Sequence, residues 1–274
     1  MLLELKRPST VKTLNRFDLR MKNGLPYFEI PEIAHVGWIQ HAFLTRKGGV
    51  SAPPYDSLNV GGNSGDHPES VSKNKEKIAA AFEFNPGQFV LMKQVHQDKM
   101  FVLRKGTDAM FPLSGYDAVM TKTSNVFLSI RTADCIPIFL VDVKRKAIAA
   151  IHAGRQGTGL HIVPKAFMKM KEEFHSSPGD LLVAMGPSIR PCCYEIDEKV
   201  FLPEWKPFST SKGERRWMVD LAGINIAQMK GEGIMKEQIF SIDLCTRCHP
   251  DLFFSYRREG QTGRQISLIG ITGK

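Results

Sequence analysis

The sequence predicts a mixed α and β fold in which strands outnumber helices. Short apolar runs rich in β-branched and aromatic side chains follow one another through the chain. Runs of about four to eight residues with this composition favour strands. Three longer stretches carry helix signals instead, and they do not alternate regularly with the strands. A simple doubly wound parallel sheet is therefore not expected.

The first helix is predicted over the stretch "DHPESVSKNKEKIAAAFEF", which begins at Asp66. Asp66 suits the N-cap position, and Glu69, three residues later, completes a capping-box pattern. Val71, Ile78 and Phe82 fall on one face of this helix. The pattern is typical of an amphipathic helix that packs against a core.

A series of strands is predicted next, over "FVLM", "YDAVMT", "VFLSI", "IPIFLVD" and "AIAAIH". The last of these ends at His152 and is followed by a turn that contains three glycines. The stretch "IVPKAFMKMKEEF" then places Val163, Phe167, Met170 and Phe174 at helical spacing. The order strand, glycine turn, helix is therefore predicted around His152.

The remainder of the chain predicts one more helix and several strands. The stretch "LLVAMG" indicates a strand, and "DLAGINIAQMKGEG" indicates a helix that ends in glycines. The stretches "QIFSID", "LFFSY" and "QISLIG" are interpreted as the closing strands.

Composition and charge exclude several classes of protein. The net charge is +9, but the basic residues are mixed with acidic ones, and no RNA-binding motif, zinc finger or polybasic arm is present. We therefore expect no nucleic-acid partner, and the positive charge is compatible with anionic small substrates. No signal peptide is evident, and no apolar run approaches the about 18 residues of a membrane span. A cytoplasmic protein without a membrane partner is predicted.

Three residues at predicted strand ends could share a catalytic metal: His96, Cys135 and His152. Each residue alone is more commonly a packing residue, because single histidines and cysteines often lie in protein cores. Strand ends can nevertheless converge on one cleft, and two imidazoles with one thiolate match the ligand preference of zinc. Copper also accepts these ligands. Three protein ligands would leave the fourth position open for water or substrate.

The other four cysteines lie in the stretches "PCCYE" and "CTRCHP". The odd total of five cysteines, two of them adjacent, argues against a secreted disulfide framework. A four-cysteine zinc site is one interpretation, but a single CxxC is weak evidence and adjacent cysteines chelate awkwardly. We expect Cys192, Cys193, Cys245 and Cys248 to be packed, reduced thiols.

Taken together, a set of motifs resembles the YfiH or laccase-domain family. The motifs are "FLTRKGGVS", "YDSLNVG", "GDHPESVSKNK", "QVH", "TADCIPI", "IHAG", "MGPSIRPCCYEI", "CTRC" and "FFSYRREGQTGRQISLIG". The resemblance implies a four-layer α/β/β/α sandwich with mixed sheets, formed by residues 1–274 as one domain. It also implies that His96, Cys135 and His152 bind zinc.

The resemblance further implies an enzyme that acts on purine nucleosides with inorganic phosphate. The reactions are phosphorolysis of adenosine, inosine, guanosine and methylthioadenosine to a free base and ribose 1-phosphate, and deamination of adenosine. Phosphorolysis needs groups that hold an anion, for which Arg46, Arg257 and Arg264 are candidates. Asn59 is a candidate for binding ribose or base, and Asp134 is a candidate proton carrier. The sequence indicates no oligomeric state.

One position departs from the family pattern. The family usually has tryptophan after "HAG", whereas Arg155 and Gln156 follow Gly154 in this chain. We expect this change to alter the wall beside the metal.

Three alternative functions remain open from the sequence. A copper-dependent polyphenol oxidase side activity is compatible with the three ligands, but a multicopper site needs His-x-His pairs that are absent from the eight histidines. A metal-free hydrolase could use Cys135 as its nucleophile. A nucleoside-binding protein without turnover would result if Arg155 blocks the site.

Overall fold

The structure is a computed structural model that describes residues 19–105 and 113–272. The strands are β1 Arg20–Lys22, β2 Leu25–Phe28, β3 Ile39–Leu44, β4 Phe89–Val90, β5 Met92–Lys93, β6 Met100–Leu103, β7 Leu113–Ser114, β8 Ala118–Thr121, β9 Phe127–Thr132, β10 Ile136–Asp142, β11 Ala147–Ala153, β12 Leu181–Met185, β13 Glu195–Asp197, β14 Ser209–Gly213, β15 Arg216–Val219, β16 Ile239–Ser241 and β17 Gln265–Ile271. The α-helices are α1 Pro31–Ala34, α2 Pro68–Ala81, α3 Arg155–Gly159, α4 Ile162–Phe174, α5 Leu221–Gly231 and α6 Tyr256–Glu259.

Two six-stranded sheets dominate the part of the chain that is described. The first sheet has the strand order β1-β2-β3-β17-β9-β4, and the second has the order β16-β12-β10-β11-β8-β6. Most neighbouring strands are antiparallel, but β4 with β9, β6 with β8 and β12 with β16 are parallel. Both sheets are therefore mixed, as predicted.

The apolar side chains of the second sheet alternate between two cores. In β10, Ile138 and Leu140 pack with the residues of α4 and α5, whereas Phe139 and Val141 pack with the first sheet. This alternation follows from the pleat, which points successive side chains to opposite faces. The ring of Phe139 stacks on that of Phe43 in β3, with centroids 4.9 Å apart.

The outer face of the first sheet is covered by α2. Ile78 and Phe82 lie in the same buried cluster as Ala42 and Leu44 of β3. The order of layers is therefore helix, sheet, sheet, helix, and the predicted α/β/β/α sandwich is confirmed. Among the described residues, no helix combines the length and apolar character needed to cross a bilayer.

Two local predictions at element ends are wrong. Helix α2 has His67, not Asp66, at its N-cap, because the carboxylate of Asp66 accepts hydrogen bonds from the backbone N–H of His67 and from Nδ2 of Asn59. The stretch "LFFSY" is not a strand: the backbone N–H of Phe254 donates to Oε1 of Gln265 at 2.9 Å, and α6 begins at Tyr256.

Strands β1, β2 and β3 were not predicted from the sequence. These strands do not show a clear alternation of buried and exposed residues; in β2, for example, all four residues are buried. Strand β3 pairs with β17 across five residue pairs, so it is held in place by the C-terminal part of the chain. Such long-range pairing is not visible in a local sequence pattern.

The chain passes from the first sheet to the second at residues 133–135, between β9 and β10. Asp134 in this crossing has a φ of 98°, in the left-handed region that few residues other than glycine adopt. The crossing brings Cys135 to the start of β10 and to the edge shared by the two sheets. This edge carries the candidate site.

Candidate metal centre

The structure brings His96, Cys135 and His152 together from three segments of the chain. One ring nitrogen of each histidine and the Sγ atom of Cys135 lie within 4.8 Å of one another. The ring centroids of the two histidines are 4.8 Å apart, with an interplanar angle of 75°. His152 is buried, Cys135 is half-buried and His96 is exposed, so the cluster faces solvent on one side.

The pairing of β10 with β11 explains why Cys135 and His152 are neighbours. The two strands are antiparallel, with Pro137 opposite His152 and Ile136 opposite Ala153, so Cys135 lies beside the end of β11. Gly154 follows directly, and a Cβ atom built there would be 2.9 Å from Sγ of Cys135 and 3.3 Å from Cδ2 of His96. A side chain at this position would enter the cluster, which explains the glycine.

The carboxylate of Asp117 supports the cluster from inside the protein, where it is fully buried. Its Oδ1 accepts the backbone N–H of His96 at 2.9 Å and contacts Nδ1 of His152 at 2.8 Å. Its Oδ2 accepts the backbone N–H groups of Val95 at 3.1 Å and Gln97 at 2.8 Å. One side chain therefore fixes both the loop that carries His96 and the ring of His152.

The bond to Asp117 determines which nitrogen of His152 is available. A carboxylate accepts hydrogen bonds, so the hydrogen resides on Nδ1 and Nε2 remains as the ligand atom. Asp117 was not among the residues selected from the sequence. Its only local signal is a charged residue directly before the buried strand "AVMT".

Electrostatic coupling favours a charged form of this cluster when no metal is bound. Burial alone would raise the pKa of Cys135, but the charge of His152 and the hydrogen bonds from both histidines lower it to about 6. Burial alone would lower the pKa of His152, but the Cys135 thiolate and Asp117 raise it to about 9. Thiolate and imidazolium therefore stabilise each other at neutral pH.

The donor set suits a metal ion of borderline softness. In a tetrahedral zinc site, bonds of about 2.0–2.3 Å place the ligand atoms about 3.3–3.8 Å apart. The upper bound of 4.8 Å among these three atoms is compatible with such a site after small side-chain rotations. Three protein ligands are typical of catalytic metal centres, which keep one position open.

A cavity of about 770 Å³ opens beside the cluster and has the three candidate ligands in its wall. This volume lies within the range of about 300–1,000 Å³ that is usual for small-molecule sites. Its cationic lining residues are Lys75, Lys93, Arg131, Arg155, Arg257 and Arg264. Asp134 is the one carboxylate residue among the described residues that line the cavity. The cavity is therefore strongly positive.

Arg257 and Arg264 line this cavity, as the sequence suggested. The guanidinium of Arg257 lies over the ring of Tyr194, 5.2 Å from its centroid, and donates to the carbonyl of Glu195. Nη1 of Arg264 donates to the carbonyls of Thr262 and Gly263 at 2.8 Å each. Both guanidinium groups are thus held at the cavity wall by backbone contacts.

Asp134 also lines the cavity, but both of its carboxylate oxygens accept hydrogen bonds from the protein. Oδ1 accepts from the hydroxyl of Thr246 at 2.6 Å, and Oδ2 accepts from the backbone N–H of Arg257 at 2.7 Å. These contacts give Asp134 a role in holding two loops together. Its role as a proton carrier stays a prediction.

Arg46 and Asn59 do not line the cavity. The guanidinium of Arg46 stacks over Phe254, 4.5 Å from the ring centroid, and pairs with the carboxylates of Asp56 and Glu259. Asn59 is fully buried, and its Oδ1 accepts the backbone N–H of Arg264. The structure therefore places both side chains outside the described cavity wall, with polar atoms bonded to the protein, and their roles in substrate binding stay predictions.

Three cations in the cavity wall were missed by the sequence analysis: Lys75 of α2, Lys93 of β5 and Arg131 of β9. Burial, and then the charge of Arg131, lowers the pKa of Lys75. Burial, and then the charge of Arg264, lowers the pKa of Arg131. Of the three side chains Lys75, Arg131 and Arg264, Arg131 is therefore close enough to repel both of the others. They come from three distant segments, so no local sequence motif joins them.

These features describe an α/β protein with a candidate metal centre beside a positively charged small-molecule cavity. The family model described as "Multi-copper polyphenol oxidoreductase laccase" matches residues 40–272. The chain belongs to this family.

Named relatives and solved structures support the assignment. The chain is 33% identical over 242 residues to "Purine nucleoside phosphorylase YlmD" of Bacillus subtilis, covering 84% of this chain and 87% of the relative. It is 36% identical over 260 residues to a "Purine nucleoside phosphorylase" of Deinococcus radiodurans, covering 90% and 94%. The structure of YlmD from Geobacillus stearothermophilus matches with a TM-score of 0.87 at 28% identity, over 93% of this chain and 98% of that one.

The lowered pKa of Cys135 predicts its reactivity in metal-free protein. Because the thiolate is the reactive form, alkylation of Cys135 by iodoacetamide should follow a titration near pH 6. Changing His152→Ala removes the cation that favours the thiolate, so the midpoint should move upward. Peptide mass spectrometry at a series of pH values measures both midpoints. An unmoved midpoint in the variant would refute the coupling.

Removing the charge of Asp117 should weaken metal binding. Asp117→Asn replaces one carboxylate oxygen by an NH₂ group that faces backbone donors, so the His96 loop and the His152 ring lose their support. Loss of such support typically lowers metal affinity about 10–100-fold. Competition with a chromophoric chelator measures the zinc affinity. Asp98→Asn, which removes a surface ion pair with Lys165, is the control and should leave the affinity unchanged.

Proposed function

We propose that the chain is a zinc-dependent purine nucleoside phosphorylase that also deaminates adenosine. Its substrates would be adenosine, inosine, guanosine and methylthioadenosine, with inorganic phosphate as the second substrate. The relatives named purine nucleoside phosphorylase support the reaction class. For this chain, the main support for the proposal is the positive charge of the cavity.

Among the residues that the structure describes, six cations and one carboxylate residue line a cavity that also contains the three candidate metal ligands. The single carboxylate, Asp134, is already engaged by Thr246 and Arg257. The remaining positive charge favours an anionic substrate, and guanidinium groups bind phosphate oxygens well. A phosphate ion supplies two or fewer negative charges at neutral pH and would relieve the repulsion within this wall.

The phosphate subsite is assigned to Lys75, Arg131 and Arg264. The pKa of each is lowered mainly by burial, and neighbouring cations lower those of Lys75 and Arg131 further. The backbone of Gly61 and Gly62 lies in the same wall, and a Cβ at Gly62 would approach Nη1 of Arg131 at 3.9 Å. The glycine segment therefore lies directly beside the guanidinium of Arg131 in the cavity wall.

The phosphate subsite adjoins the metal centre through Arg264. The charges of Cys135 and Asp134 raise the pKa of Arg264, against the larger effect of burial. Arg264 is therefore near both acidic groups as well as near Arg131. A nucleoside bound across this boundary would have its ribose between the phosphate and the metal ligands.

Two tyrosines offer surfaces for the nucleoside. Tyr194 and Tyr256 both line the cavity, and aromatic rings stack well on purine bases. Burial raises the pKa of Tyr194 to about 12, so its hydroxyl keeps its proton at neutral pH and can donate a hydrogen bond. The charge of Arg155 lowers the pKa of Tyr194, so Arg155 lies close to Tyr194 in the cavity wall.

In phosphorolysis, the glycosidic C1′–N9 bond breaks and a C1′–O bond to phosphate forms. The purine leaves as the free base after it takes up one proton, which is balanced by the proton that hydrogen phosphate loses, and ribose 1-phosphate is the second product. Lys75, Arg131 and Arg264 would orient the phosphate oxygen toward C1′ and keep it in place as positive charge develops on the ribose. Zinc bound by His96, Cys135 and His152 would supply a Lewis acid at this edge of the cavity.

Adenosine deamination is supported separately by the open side of the three-ligand cluster. The reaction replaces the 6-amino group of the purine by oxygen from water and releases ammonia. A zinc ion held by His96, Cys135 and His152 would supply the activation of water that this chemistry needs. The exposed position of His96 leaves access for water from the cavity side. Asp117 would keep the hydrogen on Nδ1 of His152 throughout.

The phosphate subsite is tested by Lys75→Gln. Loss of one charge-assisted hydrogen bond costs about 1.5–3 kcal/mol, so the KM for phosphate should rise about 10–100-fold. The KM for phosphate is measured from the release of hypoxanthine and ribose 1-phosphate from inosine at a series of phosphate concentrations. Lys77→Gln, on the exposed face of the same helix, is the matched control. An unchanged KM in Lys75→Gln would remove Lys75 from the subsite.

The same preparations test the reaction class. Hypoxanthine release that requires phosphate supports phosphorolysis, whereas release in water alone would identify a hydrolase. Adenosine should yield inosine and ammonia in the zinc-loaded protein, and His152→Ala should abolish both reactions. A zinc-loaded, folded protein without turnover of any purine nucleoside would contradict the proposal.

A further inference from the structure

Four cysteines outside the cavity converge on a second site. The Sγ atoms of Cys192 and Cys193 are 3.7 Å apart, and those of Cys192 and Cys248 are also 3.7 Å apart. The Sγ atoms of Cys193 and Cys248 are 3.3 Å apart. Together with Cys245, all four sulfur atoms lie within 4.8 Å of one another.

Two backbone turns bring these sulfur atoms together. The N–H of Cys193 donates to the carbonyl of Arg190 at 2.8 Å, and the N–H of Cys248 donates to the carbonyl of Cys245 at 3.2 Å. The two turns are joined because Ser188 forms a parallel bridge with Cys245. The turn at residues 190–193 presents adjacent cysteines to one point, which the sequence analysis considered awkward.

The expectation that these cysteines are simply packed thiols does not fit their environment. Cys192 and Cys248 are exposed, Cys193 is half-buried, and only Cys245 is buried. Exposed thiols gain little from packing, yet their sulfur atoms point at one another. Such an arrangement is typical of four sulfur atoms that bind one metal ion.

The three separations of 3.3–3.7 Å, with Cys245 within 4.8 Å of the other sulfur atoms, are compatible with a single tetrahedral metal ion. Zinc–sulfur bonds of about 2.3 Å place neighbouring sulfur atoms about 3.8 Å apart. A disulfide needs a separation of about 2.05 Å, which these pairs exceed. Four thiolates and no other ligand form a closed coordination shell, which is typical of structural zinc sites.

A nearby cation suits the charge of such a site. Four thiolates around Zn²⁺ leave a net charge of about −2. Arg247 stands between the two cysteines of the "CTRC" segment in the sequence. Its Nη1 atom lies 3.6 Å from Sγ of Cys193. This guanidinium would offset part of the negative charge and would donate to a ligating sulfur.

We propose that Cys192, Cys193, Cys245 and Cys248 form a structural four-thiolate zinc site. The site joins the loop after β12 to the loop after β16. It is separate from the cluster of His96, Cys135 and His152, shares no ligand with it, and does not depend on the reaction proposed above.

The site would stabilise one wall of the substrate cavity. Ile189 and Tyr194 flank the first pair of cysteines and line the cavity. The backbone N–H of Ile189 donates to the carbonyl of Asp134 at 2.9 Å, and Thr246, next to Cys245, donates to its carboxylate. A metal that links the two loops would therefore hold both the aromatic wall and the crossing that carries Cys135.

The number of zinc ions per chain tests the proposal. Protein purified without added metal should contain two zinc ions by native mass spectrometry and elemental analysis. Cys248→Ser should retain one, and so should the matched variant Cys135→Ser, which leaves the second cluster intact. Replacement of zinc by cobalt in Cys135→Ser should give the intense thiolate-to-metal absorption that four sulfur ligands produce.

Hydrogen exchange measures whether the proposed zinc site stabilises the cavity wall that contains Ile189 and Tyr194. Amides of residues 188–194 should exchange faster in Cys248→Ser than in wild type, while those of β10 and β11 should not change. A Cys135→Ser protein without zinc would overturn the proposal even if Cys248→Ser failed to fold. A disulfide between any two of the four cysteines in wild-type protein, detected by non-reducing peptide mapping, would overturn it as well.

Discussion

The contact between the buried Asp117 carboxylate and His152 is the interaction on which the candidate site depends. A buried charge is costly unless its oxygens are hydrogen-bonded, and here Oδ1 and Oδ2 together meet three backbone N–H groups and one imidazole. Those partners belong to the segment 95–97 and to β11, which the sequence separates by more than fifty residues. Burial would raise the pKa of Asp117, but the bonds from His152, Gln97 and Val95 outweigh it and keep the carboxylate ionised. The loop that carries His96 is therefore tied to the sheet that carries His152.

The layered fold supplies the second constraint. Because the chain passes from one sheet to the other at residues 133–135, a polar crossing lies at the edge of two apolar layers. Arg131 ends the strand on one side of this crossing and Cys135 precedes the strand on the other side. Cationic residues and metal ligands thus face one cavity, although they belong to different sheets. Thr246, which is next to Cys245, donates a hydrogen bond to the carboxylate of Asp134 in this crossing. The cysteine cluster and the candidate metal centre therefore share a structural support.

Much of the fold was predictable from the sequence because its signals are local. The buried faces of α2 and α4 follow the spacing of Val71, Ile78, Val163 and Phe167, and the apolar runs form β8 to β12. His96, Cys135 and His152 could be selected because each stands at or near the end of an apolar run. Asp117, Lys75 and Arg131 could not be selected, since their roles arise only when distant segments meet. Arg46 lies in a motif of the family, yet its guanidinium is held by Phe254, Asp56 and Glu259 rather than facing the cavity.

Three segments of the chain are proposed to build one metal site at the edge of a phosphate-binding cavity. Crystals of the protein measured at the zinc absorption edge test it most directly. An anomalous peak within about 2.0–2.3 Å of a ring nitrogen of His96, a ring nitrogen of His152 and Sγ of Cys135 is predicted. Absence of a peak between these three side chains, in crystals that show zinc at the cysteine cluster alone, would contradict the claim.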